Sequence, residues 1–556
     1  MRSIITPCDD PHFAGRAAVI TCPDNKKTSM STIANRKAWL AGGGIASLAA
    51  AAFMIRDAKM PGKNIMILEQ SGLPGGSLDA SGLADTGYVM RGGRMLNFTY
   101  HCTYDLLSAI PSLTDPAVTV YDEIKAFNKI HKTHSRARLV DNRRQIVNVS
   151  TMGFREKDRI ALVELMAKPE EFIERERISD WFGPSFFETN FWWMWCSMFA
   201  FEPWHSLVEF RRYLIRFIHE FPRIDTLAGV DRTPYNQFDS IVQPLVKWLK
   251  SQGVLFITGA EVFDLDIKTI DGVSTIERLR LMKDGEPECI TVAADDVVLL
   301  TLGSMTACSS IGGMDQPALL RTDRRDGSWA LWETLAKKSA ALGRPENFDS
   351  RIDESKWMSF TVTCKDAFFF DWMEKFSGNE AGSGGLVTFK DSNWLFSIVL
   401  AHQPHFIGQP EDVKVFWGYA LYPDKTGDYV HKRMSDCTGA EILTELLSHL
   451  RLADHLPLML ETSICIPCMM PYITSEFLTR EKGDRPAVIP EGFTNLALLG
   501  QFTEIEEDVV FTVEYSVRSA QMAVYEKFGL DKKPPAIYKG QHDLLAVFDA
   551  VKTMHR

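Results

Sequence analysis

Residues 37–69 restrict the fold of this chain more than any other stretch, because an apolar run, a glycine cluster, an Ala-rich run and a second apolar run follow one another directly. Lys37–Ala41 (KAWLA) reads as a short strand and Gly42-Gly43-Gly44-Ile45-Ala46-Ser47 as a turn. The Ala-rich stretch to about Lys59 reads as a helix broken by Pro61-Gly62, and Asn64–Glu69 (NIMILE) as a buried strand. A strand–helix–strand unit of this length is a parallel crossover. Gly42-x-Gly44-x-x-Ser47 follows the G-x-G-x-x-G pattern: Gly42 permits the tight turn, Gly44 lets backbone approach a pyrophosphate, and Ser47 is small enough for close helix–strand packing. The helix amino end offers unpaired N–H groups and a partial positive charge to phosphate. Glu69 stands where an acid accepts ribose hydroxyls, about 20 residues further on. An acid there argues against a 2′-phosphate and leaves FAD or NAD. Ser71–Gly76 (SGLPGG) and Arg91-Gly92-Gly93-Arg94 supply a second glycine-rich contact, which favours FAD.

Two later segments read as further strands of the same sheet, Asp296–Leu302 ending in Gly303-Ser304 and Leu496–Gly500 ending in Gln501-Phe502-Thr503. Strands that end in Gly, Ser or Thr turns suit a ligand at the carboxyl edge of a parallel sheet. The expected fold is therefore α/β: a discontinuous Rossmann-type FAD-binding domain (34–100, 226–320 and 490–530) with an inserted mixed α+β substrate domain (101–225 and 321–489). Residues 1–33 read as a flexible leader and 531–556 as a C-terminal helical segment.

Composition narrows the partners. Lys and Arg number 61 against 72 Asp and Glu, a net charge of −11, which argues against nucleic acid. Ten scattered cysteines do not make a disulfide framework, so Cys465 and Cys468 read as structural thiols and the expected compartment is cytoplasmic. No secretory signal is legible in the first 30 residues, and the longest apolar run, Leu40–Ile55, is too short for a membrane span. The basic stretch 125–144 reads as a solvated hairpin. The aromatic tract Phe186–Phe201 reads as buried core that also walls an apolar tunnel. The acidic stretch Glu504–Asp508 reads as a loop shaping the flavin site.

From Arg91–Leu96 (RGGRML) onward the chain resembles the oleate hydratases, FAD-containing fatty acid hydratases once called myosin-cross-reactive antigens. Further matching strings are Phe199–Glu220, Tyr235–Gln237 (YNQ), Gln403–Phe406 (QPHF), Cys465–Thr474 and Gly500–Arg518. The resemblance spans about residues 36–550. It implies addition of water across the cis double bond of an unsaturated free fatty acid, oleic acid giving 10-hydroxystearic acid. FAD is required there without net redox change and works better reduced. Peripheral contact with membranes, to collect substrate, and a monomer or homodimer are the accompanying expectations. The alternatives are a double-bond isomerase, an FAD-dependent oxidoreductase on a lipid, and a lipid-binding flavoprotein disabled at Met95.

The resemblance assigns residues. Tyr213 corresponds to the tyrosine that protonates the alkene. The water-activating glutamate of the family falls on Met95, which cannot accept a proton usefully, so that role does not carry over. Gln237 and His405 match two of the head-group contacts; the family's threonine and asparagine fall on Val399 and Ala401, with His402 beside them as a substitute. The expected cofactor contacts are Gly42, Gly44, Ile45, Ala46, Ser47, Glu69, Gln70, Ser77, Arg91, Gly92, Gly93, Val262, Gly303, Ser304, Asp508 and Thr512. No metal site is expected.

Overall fold

The computed structural model describes residues 6–7, 33–93, 95–322 and 326–555. Apart from Thr6, Pro7 and Ile33, the expected leader lies outside the described residues, as does Arg94.

Five short strands form a parallel sheet in the order Leu496–Leu499, Val297–Thr301, Ala38–Ala41, Ile65–Glu69, Leu255–Thr258. The four strands from Leu496–Leu499 to Ile65–Glu69 read as nearly unbroken apolar runs because both faces of the sheet are covered. One face (Leu40, Ile67, Leu299, Leu499) packs on the helices Ile45–Arg56 and Val513–Lys527. The other (Trp39, Met66, Leu68, Leu300, Leu498) packs on Trp329 and Trp332 of the helix Gly327–Ala336 and on the antiparallel strands Ala260–Ile270 and Val273–Lys283.

A seven-stranded mixed sheet forms the second layer, in the order Ser310–Ile311, Ser463–Met470, Trp357–Cys364, Lys414–Ala420, Phe396–Leu400, Val387–Phe389, Leu139–Val140. Its third strand, Trp357–Cys364, is buried throughout. Met358, Phe360 and Val362 point into a core of their own, while Thr361 and Thr363 point the other way. There their hydroxyls accept the N–H groups of Met90 (3.0 Å) and Tyr88 (2.9 Å), which fastens the segment preceding Arg91 across the sheet.

Several local expectations change. Residues 125–144 are not a hairpin: Lys125 and Lys129 lie on the helix Val120–Ile130, and Arg138 is fully buried. The aromatic tract folds as the helix Asn190–Phe199, whose Trp192 and Trp195 are core, so that only Ser197, Met198 and Ala200 of the tract reach a cavity. Cys465 and Cys468, in contrast, are as expected: free, buried thiols three apart on one strand, where alternation points them to opposite faces and precludes a bond between them.

Candidate active site

A cleft of about 690 Å³ opens at the carboxyl edge of the parallel sheet, lined by residues that follow each of its five strands. Gly42, with φ +95°, makes the turn after Ala38–Ala41. Gly44 then caps the helix Ile45–Arg56 without any side-chain hydrogen bond, so the first helical N–H groups face the cleft. Gly76, also at positive φ, lies against the same turn: a Cβ there would come within 3.1 Å of the Gly44 Cα. The Glu69 carboxylate accepts the N–H groups of Gly43 (2.6 Å) and Ser71 (2.8 Å).

Of the residues expected to hold a cofactor, Gly42, Gly44, Ile45, Ala46, Glu69, Gln70, Ser77, Arg91, Val262, Gly303 and Ser304 line this cleft. Ser47 stands behind it, its Oγ 3.3 Å from Thr301 Oγ1, where its small size allows helix and strand to meet. Asp508 and Thr512 line neither cavity. Asp508 is buried against Arg518 (2.8 Å), and Thr512 caps the helix Val513–Lys527.

A second, narrow cavity lies on the inner face of the mixed sheet. Met90, Gly92, Gly93 and Met95 line it, whereas Arg91 between them lines the cleft, so these five neighbouring residues wall both. Trp357, Trp417 and Tyr419 line it as well, Tyr419 stacked on Trp417 (5.0 Å between ring centres) and tilted against Trp357 (4.7 Å). The strand Leu96–Asn97 pairs with Val230–Asp231, which brings Arg232, Thr233, Asn236 and Gln237 to the same channel. Val399, Ala401, His402 and His405 complete this polar region.

The structure thus brings together Met95, Gln237, His402 and His405. The His405 ring is pushed down to about 3, first by burial and then by the charge of Arg232, and is a neutral imidazole at ordinary pH. His402, packed on His131 (4.4 Å) and Phe127 (5.0 Å), is lowered as well, by burial and by His131. No described residue lining the channel is a carboxylate.

Tyr213 sits one layer behind the wall. It lies on the helix Leu207–Arg216, fully buried among Phe199, Phe201, Phe217 and Phe477, and its hydroxyl donates to the Val510 carbonyl at 2.5 Å. Burial, then the nearby Tyr100, Glu476, Glu209 and Asp508, push its pKa well up. The adjoining Phe511 and Ala200 form the wall itself. The helix is anchored by buried ion pairs: Glu209 with Arg480 (2.9 Å) and Arg485 (3.0 Å), and Arg212 with Glu170 (2.7 Å) and Glu504 (2.9 Å). Glu504 belongs to this network, where Arg480 and Arg212 help hold its pKa at about 2 against the opposing cost of burial.

Two channel residues escaped the reading of the sequence. Tyr419 is a phenol in the wall, donating to the Ser197 carbonyl. Arg232 precedes the Tyr235–Gln237 string by three residues, and a lone arginine beside a matched motif is the one signal that pointed to it.

A parallel-sheet cleft for a dinucleotide, sharing a wall with an apolar channel that ends in polar side chains, defines a cofactor-dependent protein acting on a largely apolar ligand. The chain belongs to the MCRA family, whose model matches residues 35–525. It is 37% identical over 528 residues to an oleate hydratase of Streptococcus pyogenes serotype M49 (strain NZ131), covering 93% of this chain and 89% of that protein. It is 36% identical over 537 residues to a linoleate hydratase of Lactiplantibacillus plantarum, covering 89% and 94%. Among solved structures, an oxidoreductase from Methanosarcina mazei aligns with TM-score 0.47 and 13% identity, over 88% of this chain and 100% of that one.

Proposed function

We propose that the protein is a fatty acid hydratase that binds FAD in the cleft and adds water to the cis double bond of an unsaturated fatty acid held in the channel. The observation that carries the reading is the wall shared by Met90, Arg91, Gly92, Gly93 and Met95, which sets an apolar channel directly beside a dinucleotide cleft. The hydratase relatives supply the reaction class. The cleft suits FAD on its own residues. The uncapped helix start at Ile45 and Ala46 would take the pyrophosphate, Glu69 the ribose, and Ser77 and Arg91 the end nearest the channel. Bound there, FAD would supply an aromatic face and tunable charge beside the channel without net redox change.

The chain's own residues account for the proton. Tyr213 is the donor in this reading: its phenol gives a proton to one alkene carbon as water bonds to the other, and the phenolate takes the proton that the water loses. A pKa pushed well up makes donation harder and the returning phenolate a stronger base. No separate carboxylate base is then required, in keeping with Met95 and a wall free of carboxylates among the described residues. Water needs only orientation, which neutral imidazole and backbone carbonyls provide. To act, Tyr213 must leave the Val510 carbonyl and pass Phe511. Collection of substrate at a membrane surface belongs to the same proposal; among the described residues no helix is long and apolar enough to cross a membrane.

The test is incubation of FAD-loaded protein with oleate in oxygen-18 water. One labelled oxygen in a hydroxy acid of unchanged oxidation level is expected. An unlabelled positional isomer would assign the acid chemistry to isomerisation instead, and unchanged oleate would end the reading.

A further inference from the structure

Two arginines, Arg138 fully buried and Arg232 half-buried, are held away from carboxylates, and they are used differently. Arg138 spends its guanidinium on backbone: Nε donates to Leu386 O (3.1 Å), Nη2 to Met194 O (3.3 Å) and Nη1 to Ile224 O, and it lines neither cavity. Arg232 is less occupied. Its Nε donates to Thr133 Oγ1 at 3.3 Å and its Nη2 to Gly384 O, while Nη1 has no partner among the described residues and the side chain lines the channel. Neighbouring acids are engaged elsewhere: Asp231 takes Lys125 and the Tyr104 hydroxyl, each at 2.6 Å, and Asp239 takes Asn236 (2.8 Å), Gln243 (2.6 Å) and the Ile407 N–H (2.9 Å).

We propose that Arg232 is the charge partner of the fatty acid carboxylate, forming with Gln237 and His405 the head-group site of this chain. Arg232 is the only Lys, Arg, Asp or Glu among the described residues that line the channel. A guanidinium taken from water without a counter-charge is costly, and a ligand carboxylate in the channel supplies that charge with matching planar geometry. Burial lowers its pKa to about 10, leaving it cationic at neutral pH, whereas the adjacent His405 is neutral and contributes hydrogen bonding only. The two hydrogen-bonding positions replaced by Val399 and Ala401 line the same channel, so a cation is what remains to select an acid over an uncharged lipid. The assignment rests on the hydratase reading for the identity of the ligand.

The experiment is equilibrium binding to the FAD-loaded protein, read by quenching of tryptophan fluorescence, with oleate and with oleyl alcohol as its uncharged counterpart. Loss of a buried charge-assisted contact corresponds to about tenfold to a hundredfold in Kd. Native protein is expected to favour oleate over the alcohol by at least tenfold. Arg232→Gln should remove that preference by weakening oleate alone, and Arg232→Lys should restore part of it. Equal affinity of the native protein for acid and alcohol overturns the assignment without any variant, as does an Arg232→Gln protein of normal flavin content that binds oleate as before. Acid-selective binding without any hydrated product supports Arg232 and sinks the hydratase reading; hydrated product with binding indifferent to Arg232 does the reverse.

Discussion

The cleft and the channel share a wall but are built by opposite means. The cleft is made largely of backbone: Gly42, Gly44, Gly303 and the first N–H groups of one helix, placed where parallel strands end, with Gly76 set against the first of these turns. The channel is made of side chains drawn from separated parts of the chain, among them Met95, Ser197, Arg232, Val399, Trp417 and Phe511. A backbone site tolerates almost any sequence except at the glycines, whereas a side-chain site changes character with one substitution. A change at Met95, which lines the channel and not the cleft, therefore leaves the cleft intact and alters only what the channel can do.

The largest effect should come from Gly42→Val. Its φ of +95° is open to glycine and strained for a β-branched residue, and a Cβ would stand 3.2 Å from Thr301 Cβ. Protein lacking visible flavin absorbance, with hydration abolished, is expected. Retention of stoichiometric flavin would show that the cleft does not depend on its glycine turn.

Next come the two phenols. Tyr213→Phe is expected to lower turnover by about a hundredfold or more with flavin content unchanged, the span of a general acid. Tyr419→Phe removes only a donor to the Ser197 carbonyl and should cost less than about tenfold in turnover and about 1 kcal/mol in stability. Single-turnover rates of both variants decide the matter, and the reverse order would transfer the proton to Tyr419, the phenol already in the wall.

The same contrast explains what could be read beforehand. Residues 37–69 contain strand, turn, helix and acid in one local stretch, so chain order alone fixes their geometry, and the strands at Val297–Thr301 and Leu496–Leu499 announced themselves as apolar runs ending in small residues. Leu255–Thr258, half-buried at the sheet edge, gave no such signal. The channel was legible only as separate motifs. That Met95 and Arg232 share it follows from the pairing of Leu96–Asn97 with Val230–Asp231, a long-range register absent from either string. Arg138 shows the converse error: in a basic run it reads as solvated, yet three carbonyls from distant segments hold it inside.

The last expected effect concerns two neutral histidines, one half-buried at the channel and one fully buried in the core. His405 borders the channel and His205 lies in the core behind it, where its Nδ1 accepts the Glu202 N–H at 3.0 Å. His205 Nε2 and the Glu202 carboxyl oxygen approach to 3.6 Å but form no ion pair, because burial lowers His205 to about 3 and raises Glu202. Both histidines therefore fold as neutral groups. The unfolded chain protonates them near 6.5, so below that pH it binds more protons than the native state and stability falls as pH falls, each ring contributing about 1.4 kcal/mol per pH unit until about pH 3. Glu504, depressed to about 2, contributes stability above its unfolded value near 4.5 and loses it only below, whereas Glu202, raised by burial, keeps its proton in the fold above pH 4.5 where the unfolded chain has lost it, and so offsets part of the histidine contribution in the window from pH 4.5 to 6.5. Thermal unfolding in that window should show Tm declining with acid. Bound oleate should flatten the share that His405→Gln removes, by placing a negative charge beside that ring, and should leave the share of His205 unchanged. A Tm constant across the window would mean that at least one of the rings is protonated in the folded protein, and equal flattening of both shares would place the carboxylate away from His405.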